Sequence, residues 1–364
     1  MMSAFQKLLG HFGWSVVTAA AGAMLLPIGS LAAEPSSGLK PRVATEPVRY
    51  DSDDPAIWID RADPANSLVL GTDKDSDGAL YAFGLDGKAR HDLTVRGLLR
   101  PNNVDVAYDV PLAGRKVDVA IVAERFAHRL RVFSLPDMRP VDGGGIPVFA
   151  GERARDVMGV ATYTRPSDGA VFVIVSRSDR LSPKQGYLHQ YRLIDDGTGT
   201  LRGLKVRAFG EWSGRKEIEA LSVDAVTGAV FASDETFGIR KYHADPTAED
   251  ANDELSHFGL TGFARDHEGS AVFRRGHEKA LLFVSDQQAG ELRLFDLDGP
   301  INAPHRHALV GRVRITAKDT DGIDLVATGL PGFPGGLLVA MSTDRTFHFY
   351  ALDEVLRSIE PALE

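Results

Sequence analysis

The 364-residue chain contains no cysteine. That removes a disulfide framework, a thiolate metal site and a cysteine nucleophile at once. It also lacks a basic excess. With 41 Lys and Arg against 50 Asp and Glu, the formal net charge is -9, the wrong sign for the phosphate-neutralising surface that nucleic-acid binding requires. An acidic balance suits cation binding better. After the N-terminal segment there is no further apolar run long enough to span a bilayer. The first such run, Ser15 to Ala33, follows Lys7 and His11 and ends in Leu31-Ala32-Ala33, the small residues a signal peptidase needs. An uncleaved anchor is the alternative for a run of this length; Pro27 and the late small residues favour cleavage. Residues 1–33 are therefore expected to be a signal peptide. The mature chain is expected to be exported, periplasmic or secreted, with no stable membrane association.

What the chain has is repetition. Six short segments end in an aromatic: Leu80-Tyr81-Ala82-Phe83, Leu130-Arg131-Val132-Phe133, Leu188-His189-Gln190-Tyr191, Ile239-Arg240-Lys241-Tyr242, Leu292-Arg293-Leu294-Phe295 and Phe347-His348-Phe349-Tyr350. Several short strands recurring every 50 to 58 residues, counted between Phe83, Phe133, Tyr191, Tyr242, Phe295 and Tyr350, are the mark of β-propeller blades. The predicted fold is all-β: a six-bladed β-propeller, mostly of four-stranded antiparallel blades around a central channel. Residues 34–50 read as a linker and a ring-closing strand. Residues 51–352 read as one domain, with blades at about 51–98, 99–150, 151–210, 211–255, 256–312 and 313–352. Turn signals such as Asp86-Gly87 and Asp168-Gly169 fall between the strand-like runs. Residues 353–364 form a short tail, helical in composition from Asp353 to Ile359.

Aligned on their apolar residues, the first strands begin with Asp54, Asp105, Met158, Glu219, Glu268 and Asp324. Five of these six are carboxylates. Inner strands line the channel of a propeller, so equivalent positions are expected to form a ring at one mouth. Carboxylates crowded in a partly desolvated ring repel one another unless protons or cations neutralise them. Calcium, which takes six to eight hard oxygen ligands, answers that need; without soft or His-rich ligands, zinc and copper fit poorly. The tips of the second strands carry Lys74, Arg125 and Arg177 in blades one to three and Asp234, Glu235 and Asp286 in blades four and five. A mouth basic on one side and acidic on the other would receive a small polyanion, since Arg and Lys bind phosphate oxygens. The run Asp73-Lys74-Asp75-Ser76-Asp77-Gly78 copies half an EF-hand loop but has Gly84 at the twelfth position, and reads better as an acidic hairpin. Asp319 and Asp321 offer further oxygens near Asp324, and His267 is the one histidine placed beside the expected mouth.

The segments Asp53-Asp54-Pro55-Ala56-Ile57-Trp58, Thr72-Asp73-Lys74, Asn102-Asn103-Val104-Asp105, Asp234-Glu235, His267-Glu268-Gly269 and Asp321-Gly322-Ile323-Asp324 together resemble the β-propeller phytases, calcium-dependent phosphatases acting on inositol hexakisphosphate. The resemblance runs from about residue 43 to 350. It implies a hydrolase of the 3-phytase type that needs several Ca2+ ions. It implies Asp54, Glu219, Glu235, Glu268 and Asp324 as calcium ligands, to which Asp105 and Asp266 are added here as candidates. It implies phosphate contacts by Lys74 and Arg125, with a further base near Arg177. The candidate catalytic set is Lys74, Arg125, Glu219 and Glu235, and the substrate is expected to be phytate or another phosphomonoester, attacked by metal-activated water with no phosphoenzyme. The Arg-His-Gly triplet of the histidine acid phosphatases is absent. Departures from the family pattern are Met158 for a tyrosine, Ala44 for a glutamate, Ala220 for a glycine and Met341-Ser342-Thr343 for an amide. A lactonase or esterase on a calcium propeller, or a non-catalytic ligand-binding propeller, is the alternative. A monomer is expected, with no nucleic-acid partner.

Overall fold

The computed structural model describes residues 38–276 and 278–362; the expected signal peptide lies outside them. Six antiparallel sheets form six blades. Blade one runs Ser52–Trp58, Leu68–Asp73, Gly78–Gly84 and Val95–Leu98. Blades two to five repeat that order from inner strands Pro101–Leu112, Val157–Thr164, Ile218–Asp224 and Ser270–Phe273. Blade six takes Ile323–Val326, Leu337–Ser342 and Thr346–Ala351 from the C-terminal part of the chain. Its fourth strand, Val43–Ala44, comes from the other end, pairing Val43 with Phe349 and Ala44 with His348. The two ends of the propeller chain thus close the ring.

The blades form because their strands are apolar on both faces. Every residue of Leu68–Asp73 and of Leu281–Asp286 is buried, since each blade is packed against a neighbour on either side. Strands covered on both faces read as continuous apolar runs rather than as alternation. Six apolar clusters result, one between each pair of adjacent blades. The cluster at the closure sets Phe83 of blade one against Phe347 of blade six, ring centroids 5.9 Å apart. Each such buried side chain contributes about 1.5–3 kcal/mol.

Two boundaries differ from the sequence reading. Ser256–Phe258 pairs with Ile239–Lys241, so it completes blade four instead of opening blade five; a long connection from Ala244 separates it from its partner and hides the pairing. The tail forms the short helix Leu352–Arg357, which buries Leu352 and Val355. Glu360–Pro361 then pairs with Arg312 and Gly311 as a fifth strand on blade five. Among the described residues no helix is long and apolar enough to cross a membrane.

Candidate active site

Strand pairing defines which residues are equivalent. Pro55, Val104, Val160, Leu221, Ser270 and Ile323 face Gly71, Val122, Val175, Ala232, Val284 and Ala340. Each partner stands two residues before the tip of its second strand. Counting back two residues along the inner strands gives the true ring: Asp53, Asn102, Met158, Glu219, Glu268 and Asp321. The predicted ring was right at Met158, Glu219 and Glu268. It slipped by one residue at Asp54 and by three at Asp105 and Asp324. In blades one to four a bulge lies just there, between Ser52 and Pro55, Pro101 and Val104, Val157 and Val160, and Ile218 and Leu221. A bulge adds a residue without altering the apolar pattern around it, which fits the one-residue slip at Asp54. The three-residue slips are larger than a bulge makes: aligning on apolar runs takes the acids after Val104 and Ile323 as strand starts, and blade six has no bulge.

The displaced aspartates do something else. Asp54 Oδ2 accepts from the Val104 amide at 3.0 Å. Asp105 Oδ2 accepts from the Thr162 amide at 2.6 Å and its hydroxyl at 2.9 Å. Asp324 Oδ2 accepts from the Ile57 amide at 2.7 Å. Each ties its own inner strand to that of the next blade and lines a channel cavity of about 320 Å³. Burial pushes Asp105 up to about 6, and burial with the Asp105 charge pushes Asp324 up to about 7. The five predicted carboxylates are therefore two groups, with Glu219 and Glu268 in the mouth and Asp54, Asp105 and Asp324 along the channel.

The strand tips are a second tier. Asp73, Glu124, Asp234 and Asp286 are fully buried or nearly so. Each receives a backbone amide of the loop entering its blade: Asp51, Leu99, Ser213 and Ala264 respectively. Arg177 holds the same position with the charge reversed. Its guanidinium donates to Glu152, to the Ala154 carbonyl at 3.2 Å, to Tyr187 at 3.1 Å and to Gly186 at 3.0 Å. It lies 4.0 Å over the Phe149 ring and is 0% exposed. It cannot reach a substrate arriving from solvent, so the predicted phosphate contact is corrected to a structural tie. The exposed bases of the loop that follows are Arg180 and Lys184, of which Arg180 lines the pocket beside Arg125.

One residue past the tips of blades one to five stand Lys74, Arg125, Ser178, Glu235 and Gln287. Their amides donate to the carbonyls of Asp51, Arg100, Asp156, Glu217 and Asp266 at 2.7, 3.0, 2.8, 3.0 and 3.1 Å. That repeated bond brings the Glu217 and Asp266 side chains to the mouth. Glu217, Glu219 and Glu235 form one triad, and Glu235, Asp266 and Glu268 a second; within each, one oxygen per residue lies within 4.8 Å of the others. Lys216 Nζ stands 2.6 Å from Glu235, 3.2 Å from Asp266 and 3.6 Å from Glu268. Lys74 meets Asp53 and, at 3.5 Å, Asp321, whose other oxygen accepts from Gln287. Across the mouth Arg125 donates to Ser178 Oγ at 2.9 Å and approaches Met158 Sδ at 3.5 Å. Ser178 in turn donates to Glu217. Gly159 and Gly322 directly follow their ring residues because neighbouring inner strands come so close there that a Cβ would collide with the Glu219 carbonyl or with Asp54.

The acids outnumber the bases that reach them. Burial, with Asp321 and Glu235 adding repulsion, pushes Glu268 up to about 10. Burial pushes Glu235 up to about 7 against the pull of Lys216, and holds Glu219 well above the usual carboxylate range, with Asp53 adding to it. Asp53 rises to about 6 through burial, opposed by Lys74. Glu235 Oε1 is buried without a hydrogen-bond donor. Such a set, all hard oxygens, fits a divalent cation of the calcium kind.

A family model described as Phytase matches residues 7–352. The chain belongs to the Phytase family. It is also 27% identical over 311 residues to the 3-phytase of Bacillus subtilis (strain 168), an alignment covering 83% of this chain and 77% of that protein. In this phytase-family mouth, sequence reasoning had passed over Glu217, Lys216 and Ser178, gave Asp53 no role of its own, and named Asp321 only as a further oxygen source near Asp324. Asp53 and Asp321 had a signal, being the first acids of the Asp-Asp-Pro and Asp-Gly-Ile-Asp segments. Glu217 and Lys216 had none; only the hairpin geometry recruits them. The acidic hairpin at 73–78 divides its carboxylates among separate partners. Asp75 caps its own turn, Asp77 pairs with Arg49 and Tyr50, and Asp73 holds the incoming loop. His267 is buried against Phe263 at 4.6 Å and joins neither triad.

Proposed function

We propose that this chain is a calcium-dependent phosphomonoester hydrolase whose substrate is phytate, myo-inositol hexakisphosphate. The observation that carries the reading is the polarity of one mouth. Glu217, Glu219, Glu235, Asp266 and Glu268 crowd one side, and Lys74 and Arg125 stand on the other. Beside Arg125, a pocket of about 650 Å³ gathers Arg180, Arg215 and Lys216. A substrate with several phosphates can engage bases and cation-loaded acids together.

Glu217, Glu219, Glu235, Asp266 and Glu268 would hold the calcium. Bound calcium supplies positive charge to the phosphate oxygens and lowers the pKa of water. Lys74 and Arg125 orient the reacting phosphate and offset charge that develops on it. Burial opposes the Lys74 charge, but Asp53, Glu219 and Asp321 raise its pKa and keep it protonated. Arg125 Nε is buried 3.8 Å from the Asp156 carboxylate, so contact with substrate falls to its two terminal nitrogens, which face Met158 and Ser178. Arg180 takes over the role first assigned to Arg177. We extend the proposal to location: the chain is exported after removal of residues 1–33, which mass determination of the mature N-terminus tests.

The deciding experiment is phosphate release from phytate by the purified protein, with calcium and with excess chelator, beside a panel of lactones. Chelator-sensitive release from phytate and no lactone opening is the expected result. No release under any calcium concentration overturns the proposal.

A further inference from the structure

Lys216 does not belong to the repeated pattern of the mouth. It enters on the loop between Leu201–Glu211 and Ile218–Asp224, a loop that turns at Gly214, where φ is +79°. Its ammonium contacts three carboxylates from two blades, Glu235, Asp266 and Glu268. These are the members of one cation-holding triad. Glu235 is fully buried and its Oε1 accepts no hydrogen bond among the described residues. Yet the Lys216 side chain is 40% exposed and also lines the pocket of about 650 Å³ in which Arg125, Arg180 and Arg215 outnumber Asp179 and Glu217. One ammonium therefore borders both the acidic triad and the basic pocket.

We propose that Lys216 is a tethered competitor for the Glu235–Asp266–Glu268 cation site: a divalent cation entering that site displaces the ammonium into the Arg125–Arg180–Arg215 pocket, where it binds a substrate phosphate. The inference rests on the calcium reading above and adds an order to it, cation first and substrate second. A monovalent tethered charge and a divalent ion cannot share three carboxylates at contact distance without repulsion, and the flexible lysine stem is the part free to move. The displaced ammonium then adds to a phosphate site that is weaker without it.

Calorimetric titration of the chelator-stripped chain with Ca2+ tests this, using Lys216→Met and the charge-conserving Lys216→Arg. Lys216→Met should bind Ca2+ about tenfold more tightly, a change equivalent to about 1.4 kcal/mol, and should show a severalfold higher KM for phytate at saturating calcium. Lys216→Arg should stay near the parent on both measures. Calcium affinity unchanged or weakened in Lys216→Met overturns this inference alone. An unsubstituted chain that binds no Ca2+ overturns the calcium reading and this one with it.

Discussion

At the scale of single residues, position in the blade decides the role more than side-chain type does. Glu219 and Glu268 share the ring position, and both are buried with raised pKa values. Glu219→Ala and Glu268→Ala are each expected to lower calcium-dependent phosphate release about 100-fold or more, the scale of losing one electrostatic contact to a transition state. Their far-UV circular dichroism should match the parent. Activity retained in both removes them from the site. Arg177 makes the opposite prediction. Its substitution by Met leaves the carbonyls of Ala154, Gly186 and Tyr187 unpaired and should cost about 3 kcal/mol of stability. Denaturant titration reads that loss, and KM for phytate should stay within twofold in whatever protein remains folded. The sequence showed that a base lies at this tip, but not that Phe149 and Glu152 enclose it.

At the scale of elements, the ring depends on strands borrowed from its ends. Val43–Ala44 supplies the outer strand of blade six, and neighbouring Thr45 and Arg42 bond to Phe347 and Phe349. Deleting residues through Thr45 should broaden the thermal transition and lower its midpoint, because blade six loses its edge and the blade six–one cluster loses Val43. At the other end the effects should differ by segment. Removal of 360–364 takes away the two-residue pairing with blade five, the Arg312–Glu360 ion pair and the Ala362 amide bond to Val310 and should shift the midpoint little. Removal from Leu352 onward also takes Leu352 and Val355 out of the core, a loss of about 2–5 kcal/mol for each such side chain. The short helix was legible from its composition. The added strand was not, since two residues carry no periodicity to read.

At the scale of the molecule, the crowded mouth makes stability depend on both pH and calcium. Glu235 and Glu268 have folded pKa values raised from 4.5 to about 7 and about 10. In that range the folded protein holds more protons than the unfolded one, so their contribution is complete below 4.5 and is lost as pH rises through 7 and 10. His189 and His307, lowered by burial to about 4, act in the other direction but only below 6.5. Between pH 6.5 and 9 in chelator, the melting temperature should therefore fall; millimolar calcium should abolish most of that fall by neutralising the acids directly. Equal slopes with and without calcium would count against cation binding in the mouth.

Six blades, the apolar character of their inner strands and the presence of acids and bases near the strand ends were determined by the sequence itself, because burial on both faces of a blade and a repeat of 50 to 58 residues leave a signature in residue order. Which acid stands in the mouth and which ties one blade to the next was decided only by the tertiary structure. In blades one to four a bulge moves the inner strand by one residue relative to its partner, every residue of shift turns a side chain to the opposite face, and in all six blades only the pairing with the next strand records where the mouth position falls.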